Sequence, residues 1–413
     1  MAGFLRFQGQ NRSLDEYTQR GGPGYRPTML ALFLGAFSTF ALLYCVQPML
    51  PILSEAFGID PARTSLALSV ATGMLAVGLL VTGPLSDALG RKAMMSFSLL
   101  LAAVLTLGAA AMPDWHGVLL LRALAGLAMA GLCGVAMAYL NEEIDPRHIG
   151  VSMGFYISGN AIGGMSGRLI GGVLVDFTSW RITLAVMGAI ALIAALVFIK
   201  TLPPSRHFTP RRLSLANLAS AFRLHFQDAG LPWLFLEAFL LMGSFVTLFN
   251  YIVYRLLEPP YDFSQTLIGL LSVVYLAGIY SSGWAGALAD RLGRGQVFWM
   301  FIAMMLGGLL LTLFSPVILI LAGMVLFTFG FFAAHSVASG WVGQRATQAR
   351  GQASSLYLFS YYLGSSIAGT VGGAFWYLGG WPGVALFIAA LLLLALAVGL
   401  RLRRLSGSAF VTD

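Results

Sequence analysis

Gly83-Pro84-Leu85-Ser86-Asp87-Ala88-Leu89-Gly90-Arg91-Lys92 is a short charged hairpin wedged between two long apolar runs. A looser copy, Gly286-Ala287-Leu288-Ala289-Asp290-Arg291-Leu292-Gly293-Arg294, occupies the matching place about half a chain later. Gly83 and Gly90 allow close backbone approach or a sharp turn where any side chain would intrude. Asp87 falls at a helix end, where a carboxylate can cap a facing helix N-terminus. Arg91 can reach an acidic residue on the next loop of the same side, Glu142 or Glu143. Together these make a latch that opens and closes. Basic residues that only set topology would account for one such hairpin, but not for two in matching positions.

The composition places the hairpins in a membrane. Charged residues are 10% of the chain and hydrophobic ones 58%, with a mean hydropathy of +0.83. A soluble domain needs about a quarter charged residues to cover its surface, so most of this surface faces lipid. The net charge of +8 has no separate basic domain to hold it and is not a nucleic-acid footprint. Cys45 and Cys133 both lie in apolar runs, which excludes a disulfide framework or a cysteine-based metal site. The first apolar run is too long for a signal-peptide core and reads as a retained span.

Spanning a bilayer takes about 20 apolar residues in a helix. Twelve such runs occur: 28–53, 66–86, 94–112, 118–140, 151–175, 182–202, 233–257, 267–288, 297–314, 317–340, 354–378 and 384–400. The expected fold class is therefore all-α and integral to the membrane, with two six-helix bundles. The expected organisation is an N-terminal tail (1–27), a first bundle (28–202), a central loop (203–232), a second bundle (233–400) and a C-terminal tail (401–413). With the N-terminus inside, one side receives 19 Arg and Lys, the other only Arg63, Arg181 and Arg255, and Arg122 and Arg168 remain within spans. That bias puts both termini in the cytoplasm. In the central loop Leu215, Leu218, Phe222 and Phe226 recur at helical spacing near Arg211, Arg212, Arg223 and His225. This fits an amphipathic helix on the anionic inner leaflet, or a simple tether.

The halves repeat. A shift of 201 residues lays Gly150, Tyr156, Gly163, Gly171, Gly172 and Trp180 on Gly351, Tyr357, Gly364, Gly372, Gly373 and Trp381 without a gap. Parallel six-helix repeats are a transporter architecture with the substrate near the midplane between lobes.

The hairpin resembles the Gly-x-Leu-Ala-Asp-Arg-x-Gly-Arg-Lys signature of the major facilitator superfamily, and the resemblance covers essentially the whole chain. It implies a cytoplasmic gate that stabilises the outward-facing state, carried by Gly83, Asp87, Gly90 and Arg91 with Glu142, and by Asp290 and Arg294 in the second copy. Ala88 departs from the signature's arginine, which Arg291 keeps in the second copy. A second signature, an arginine early in the fourth span followed by a small residue, matches Leu121-Arg122-Ala123-Leu124-Ala125-Gly126. In proton-driven members it is linked to proton transfer. Arg122 lies only about 6 Å below its helix end, so snorkelling is the alternative. The exporters' fifth-span signature, Gly-x-x-x-Gly-Pro-x-x-Gly-Gly, resembles Gly163-Gly164-Met165-Ser166-Gly167-Arg168-Leu169-Ile170-Gly171-Gly172, with Arg168 replacing the proline. The match favours export. Gly163, Gly167, Gly171 and Gly172 predict tight helix packing. The Phe40–Pro51, Gly159–Arg168, Phe331–Trp341 and Ser354–Gly373 segments are similar to the YnfM-like branch, grouped with acriflavine-sensitivity exporters of bacterial inner membranes. That likeness implies a drug or dye as cargo and a place in the inner membrane.

Arg168 lies about 10 Å from the outer end of its helix. It either snorkels outward or needs an anion: a substrate, Asp176 or Glu237. Glu237 is the one carboxylate clearly inside a span. Burial disfavours a charged carboxyl, which suits a group that loads and releases protons, while its place near the cytoplasmic end also suits a solvated residue. His335, on the tenth span, is a second proton candidate. Tyr44 and Gln47 form part of a polar stripe on the first span, with Asn250 and Tyr251 facing them from the other lobe. The leading expectation is a proton-coupled exporter, monomeric, driven by the proton gradient with no cofactor or metal. The alternative is proton-linked uptake of a sugar or organic acid. A polytopic membrane enzyme is remote, because the five histidines are scattered and no metal-binding cluster appears.

Overall fold

The computed structural model describes residues 17–206, 208 and 215–408. It is helical throughout: α1 (Tyr25–Tyr44), α2 (Leu50–Phe57), α3 (Pro61–Leu89), α4 (Arg91–Ala111), α5 (Trp115–Cys133), α6 (Ala136–Glu143), α7 (Ile149–Phe177), α8 (Trp180–Thr201), α9 (Leu215–Gln227), α10 (Leu231–Leu257), α11 (Gln265–Leu270), α12 (Tyr275–Leu292), α13 (Arg294–Leu311), α14 (Val317–Arg345) and α15 (Arg350–Ser408). Ten segments among the described residues are long and apolar enough to cross a membrane. One of them, Arg350–Leu405, is two crossings divided at Gly379–Gly380, where Gly380 has φ +56. Adding the glycine-rich α7 gives twelve crossings in two six-helix lobes.

Local chemistry sets the breaks. Asp60, Asp114 and Ser179 cap α3, α5 and α8, each accepting from a backbone N–H three residues on. Gly90 (φ +96) and Gly293 (φ +89) turn the chain tightly between α3 and α4 and between α12 and α13, a backbone conformation that costs glycine little. The first crossing breaks after Tyr44, because Pro48 has no N–H for the Tyr44 carbonyl and its ring would crowd that turn. The eighth crossing is also interrupted, by a 3-10 turn over Leu271–Val274.

Within each lobe, glycines seat one helix on another's backbone. A Cβ on Gly159, Gly163, Gly167 or Gly171 of α7 would come within 2.3–2.8 Å of the carbonyl oxygens of Phe33, Phe37, Ala41 and Cys45 on α1. The fourfold spacing on both helices is ridge-into-groove packing with the side chains removed. In the second lobe a Cβ on Gly364 would lie 2.1 Å from the Phe239 carbonyl oxygen on α10. Gly172 and Gly373 face the opposite lobe instead. A Cβ on Gly172 would lie 2.5 Å from the Gln265 carbonyl of α11, and one on Gly373 would lie 2.4 Å from Ala62 of α3. The sequence repeat is therefore a repeat of contacts, within lobes and between them.

The lobes are joined on the half away from the hairpins. Asp176 accepts from Thr266 through its backbone N–H (3.1 Å) and hydroxyl (2.7 Å), Ser272 donates to the Met165 carbonyl (3.0 Å), and Ser366 donates to the Ser69 carbonyl (2.7 Å). At the hairpin end Gly83, Gly283 and Gly286 have open space beside them. Gly83 thus makes none of the close approach expected of it in this conformation.

Two expectations about the segments outside the crossings change. His225, expected among the polar residues of the central loop, is buried, with Nε2 3.1 Å from the Ala349 carbonyl, and it ties α9 to the second lobe. Arg223 and Phe226 are exposed, whereas Arg211 and Arg212 lie outside the described residues. The expected C-terminal tail begins as helix, since α15 runs through Arg401, Arg403 and Arg404 to Ser408.

Substitutions on α7 test the glycine packing. Gly163→Ala, whose new methyl meets α1 backbone, should lower the thermal unfolding midpoint of the purified protein, overpacking costing about 1–3 kcal/mol. Gly154→Ala, with nothing within 4 Å, should leave the midpoint unchanged or raise it.

Candidate functional site

Toward the far ends of the helices from the hairpins, on the packed side of the interface, the break in the first crossing places Tyr44 and Gln47 beside Arg168 of α7. Arg168 is 5% exposed. Its Nε donates to Gln47 Oε1 (2.5 Å) and Nη1 to the Gly164 carbonyl (2.8 Å). Its guanidinium lies 4.1 Å from the centre of the Tyr44 ring and 4.7 Å from that of Tyr275 on α12, with Phe249 at 5.9 Å. Gln47 Nε2 donates in turn to Asn250 Oδ1 of α10 at 2.6 Å. Arginine has no acceptor, so it fixes which way both amides point. The chain Arg168–Gln47–Asn250 thus crosses from one lobe to the other. A small cavity of about 20 Å³ adjoins it, lined by residues including Gln47, Pro48, Phe249, Leu271 and Ser272.

Three of the sequence assignments are corrected here. Neither acid proposed to partner Arg168 does so: Asp176 is held by Thr266, and Glu237 lies in the other lobe. Tyr251 turns away from the cluster, its hydroxyl donating to the Gly369 carbonyl (2.8 Å) and its ring stacking near Trp376. Tyr275 belongs to the site and carried no sequence signal, being one aromatic in an apolar span.

Arg122 is fully buried and does not snorkel. Its Nε donates to the Ala67 carbonyl (3.0 Å), Nη1 to Leu42 (2.9 Å) and Nη2 to Leu43 (2.9 Å). Leu42 and Leu43 lie in the last turn of α1, and their carbonyls lose their helical partners at the break. Arg122 therefore caps α1 and holds the Tyr44–Gln47 segment in place. No carboxylate is paired with it among the described residues, so its expected part in proton transfer has no acidic partner in this geometry.

Glu237 is 0% exposed, and among the described residues neither carboxyl oxygen has a hydrogen-bond partner. It faces the bare Cα of Gly399, where a Cβ would lie 3.5 Å from Oε1. The solvated alternative is excluded. On α14, His335 Nδ1 lies 2.9 Å from the Tyr357 hydroxyl, and the ring packs on Tyr361 with centroids 4.7 Å apart.

At the hairpin, Arg91 chelates Glu142 (2.7–3.2 Å), pairs with Asp87 (2.6 Å) and donates to Ser86 Oγ. Glu143, the other acid considered for Arg91, accepts instead from the Arg206 N–H. Asp87 caps no facing helix in this conformation and lies on Arg91. The second hairpin is looser, with Asp290 and Arg294 3.3 Å apart. Between α9 and α10, burial pushes the Asp228 carboxyl up, but Arg345 and the backbone N–H groups of Gly230 and Leu231 outweigh it and hold it below the ordinary carboxylate range.

Two pseudo-symmetric six-helix lobes around a buried polar cluster define a multi-pass secondary transporter. The chain belongs to the major facilitator superfamily, whose profile matches residues 32–369 and 257–411. It is 59% identical over 390 residues to the inner membrane transport protein YnfM of Escherichia coli (strain K12), covering 94% of each chain. It is 47% identical over 380 residues to the uncharacterized MFS-type transporter YybF of Bacillus subtilis (strain 168), covering 92% of this chain and 94% of that one. Among solved structures, a bacterial homolog of the human lysosomal transporter Spinster, inward-facing and unoccupied, superposes with a TM-score of 0.78 at 14% identity, over 92% of this chain and 97% of that one.

The capping role of Arg122 predicts that Arg122→Lys, which cannot reproduce the three-way fork, loses stability. The expected cost is about 1–3 kcal/mol for each carbonyl left unpaired, read as a lower unfolding midpoint. The pH profile of transport should keep its shape; a shifted profile at unchanged stability would instead mark a proton-handling group.

Proposed function

We propose that the protein is a proton-coupled antiporter that exports a small organic solute or drug from the cytoplasm by alternating access, acting as a monomer in a bacterial inner membrane. The observation that carries this reading is the buried chain Arg168–Gln47–Asn250, which joins the two lobes on the side where they are packed. The 19-to-3 bias of basic residues puts the hairpins and both termini in the cytoplasm. The packed end then faces outward, and the conformation is the one that admits solute from inside.

On this reading solute enters between the hairpins and competes with Gln47 for Arg168. Losing that bond loosens Gln47 from Asn250 and weakens the outer closure. The lobes then rock, Gly172 and Gly373 part from α11 and α3, and the hairpins close. Asp87, freed toward the opposite lobe, would cap the N-terminus of α15. Glu237 is the proton site, its carboxyl buried without a hydrogen-bond partner among the described residues, and His335, paired with Tyr357, lies in the same lobe. The exporter-like glycines of α7 support the outward direction.

Reconstitution in liposomes with an imposed pH gradient tests this against cationic dyes, organic acids and sugars. Substrate should accumulate on the acidic side and dissipate the gradient, and Glu237→Gln should abolish the proton flux. Asp87→Asn should cut turnover at least several-fold with the yield of folded protein unchanged. Substrate moving with protons in the same direction would establish uptake instead. Full proton coupling in Glu237→Gln would refute the proton assignment.

A further inference from the structure

We infer that the cargo is an organic anion, a carboxylate on an apolar or aromatic body, with Arg168 as its counter-charge. The inference rests on reading the Arg168 cluster as the transport site, and it goes further by naming the chemistry that fills it.

Arg168 is a buried cation whose hydrogen-bond partners among the described residues, the Gln47 amide and the Gly164 carbonyl, are both neutral. Among the described residues it makes no ion pair. Two of its five N–H groups are spent and three remain. The Tyr44 and Tyr275 rings pack against the guanidinium, but its N–H groups lie in the guanidinium plane, where a carboxylate can accept two of them side by side. Tyr275 adds a buried hydroxyl with no partner among the described residues. The amide orientations imposed by Arg168 leave Asn250 with a buried NH2 on the Gly369 side that has no partner among the described residues. What the cluster lacks is acceptors.

A cation would add repulsion to a site that already holds an uncompensated positive charge, and a neutral solute would leave that charge buried alone. An anion neutralises it. The remaining surroundings are apolar and aromatic, as a carboxylate on an apolar or aromatic body requires: Phe249 and Leu271 line the adjoining cavity, and Phe332, Phe245, Phe331 and Tyr361 form a packed aromatic cluster with Tyr275.

Binding to the purified full-length protein tests this independently of transport. The probes are acetate, benzoate and phenylacetate, each matched with its amide, and benzylamine as the cationic counterpart. Aromatic carboxylates should raise the thermal unfolding midpoint in a saturable way, with amides and amine ineffective. Arg168→Gln should remove the response, and Tyr275→Phe, which keeps the ring, should weaken carboxylate affinity about tenfold. If Arg168→Gln fails to fold, Tyr275→Phe alone carries the test. Amides or amine matching the carboxylates, no response to any probe, or an undiminished carboxylate response in the variants overturns the inference. Gradient-driven transport of a cation or a sugar, with no carboxylate binding, would leave the transporter reading standing and remove only this assignment.

Discussion

A bilayer core offers no hydrogen-bond partners, so any break in a spanning helix must be satisfied from within the protein. In this chain that constraint falls on the first crossing. Pro48 stops α1, the Leu42 and Leu43 carbonyls lose their helical donors, and Arg122 supplies them from α5. Because the break is capped, Tyr44 and Gln47 are held at fixed positions beside Arg168. One buried arginine thereby sets the geometry of another, and the bridge to Asn250 follows.

The same economy governs the lobe interface. Gly172 and Gly373 occupy equivalent places in the two repeats, and each lets its helix lie on the backbone of the opposite lobe. Backbone contact of this kind fits in one way and parts cleanly, which suits a surface that opens and closes as a unit. The repeat is broken where chemistry is needed. Arg168 corresponds to Gly369 under the 201-residue shift, so one lobe carries the charge and the other carries bare backbone against which Asn250 and Tyr251 pack. The hairpins differ as well: Arg91 has two carboxylates to hold, while Arg294 has Asp290 and the distant Val337 carbonyl.

Features carried by local spacing could be read from the residues alone. The crossings follow from run length, the hairpin turns from Gly90 and Gly293, the α7 packing face from glycines four apart, and the Arg91–Glu142 pair from loop adjacency. What escaped reading depends on partners without a side-chain signature. Arg122 binds backbone carbonyls, which every residue has, so no search for an acidic partner could find them. Tyr275 looks like any aromatic in an apolar span until the lobes are assembled. Asn250 and Tyr251 are adjacent on one helix and so point about 100° apart, which by itself forbade both from facing Gln47.

Two lobes that move as bodies about an interface now shut away from the hairpins must change spacing at both ends together. Paired spin labels measure this most directly, in a protein reconstituted in nanodiscs with Cys45 and Cys133 replaced by serine. One pair, Leu89→Cys with Leu292→Cys, reports the hairpin end, and the other, Phe177→Cys with Tyr377→Cys, reports the far end; all four positions are well exposed. Across an acid-to-alkaline titration the first distance should shorten as the second lengthens, with a shared midpoint. Distances that change in the same sense, or at only one end, would contradict it.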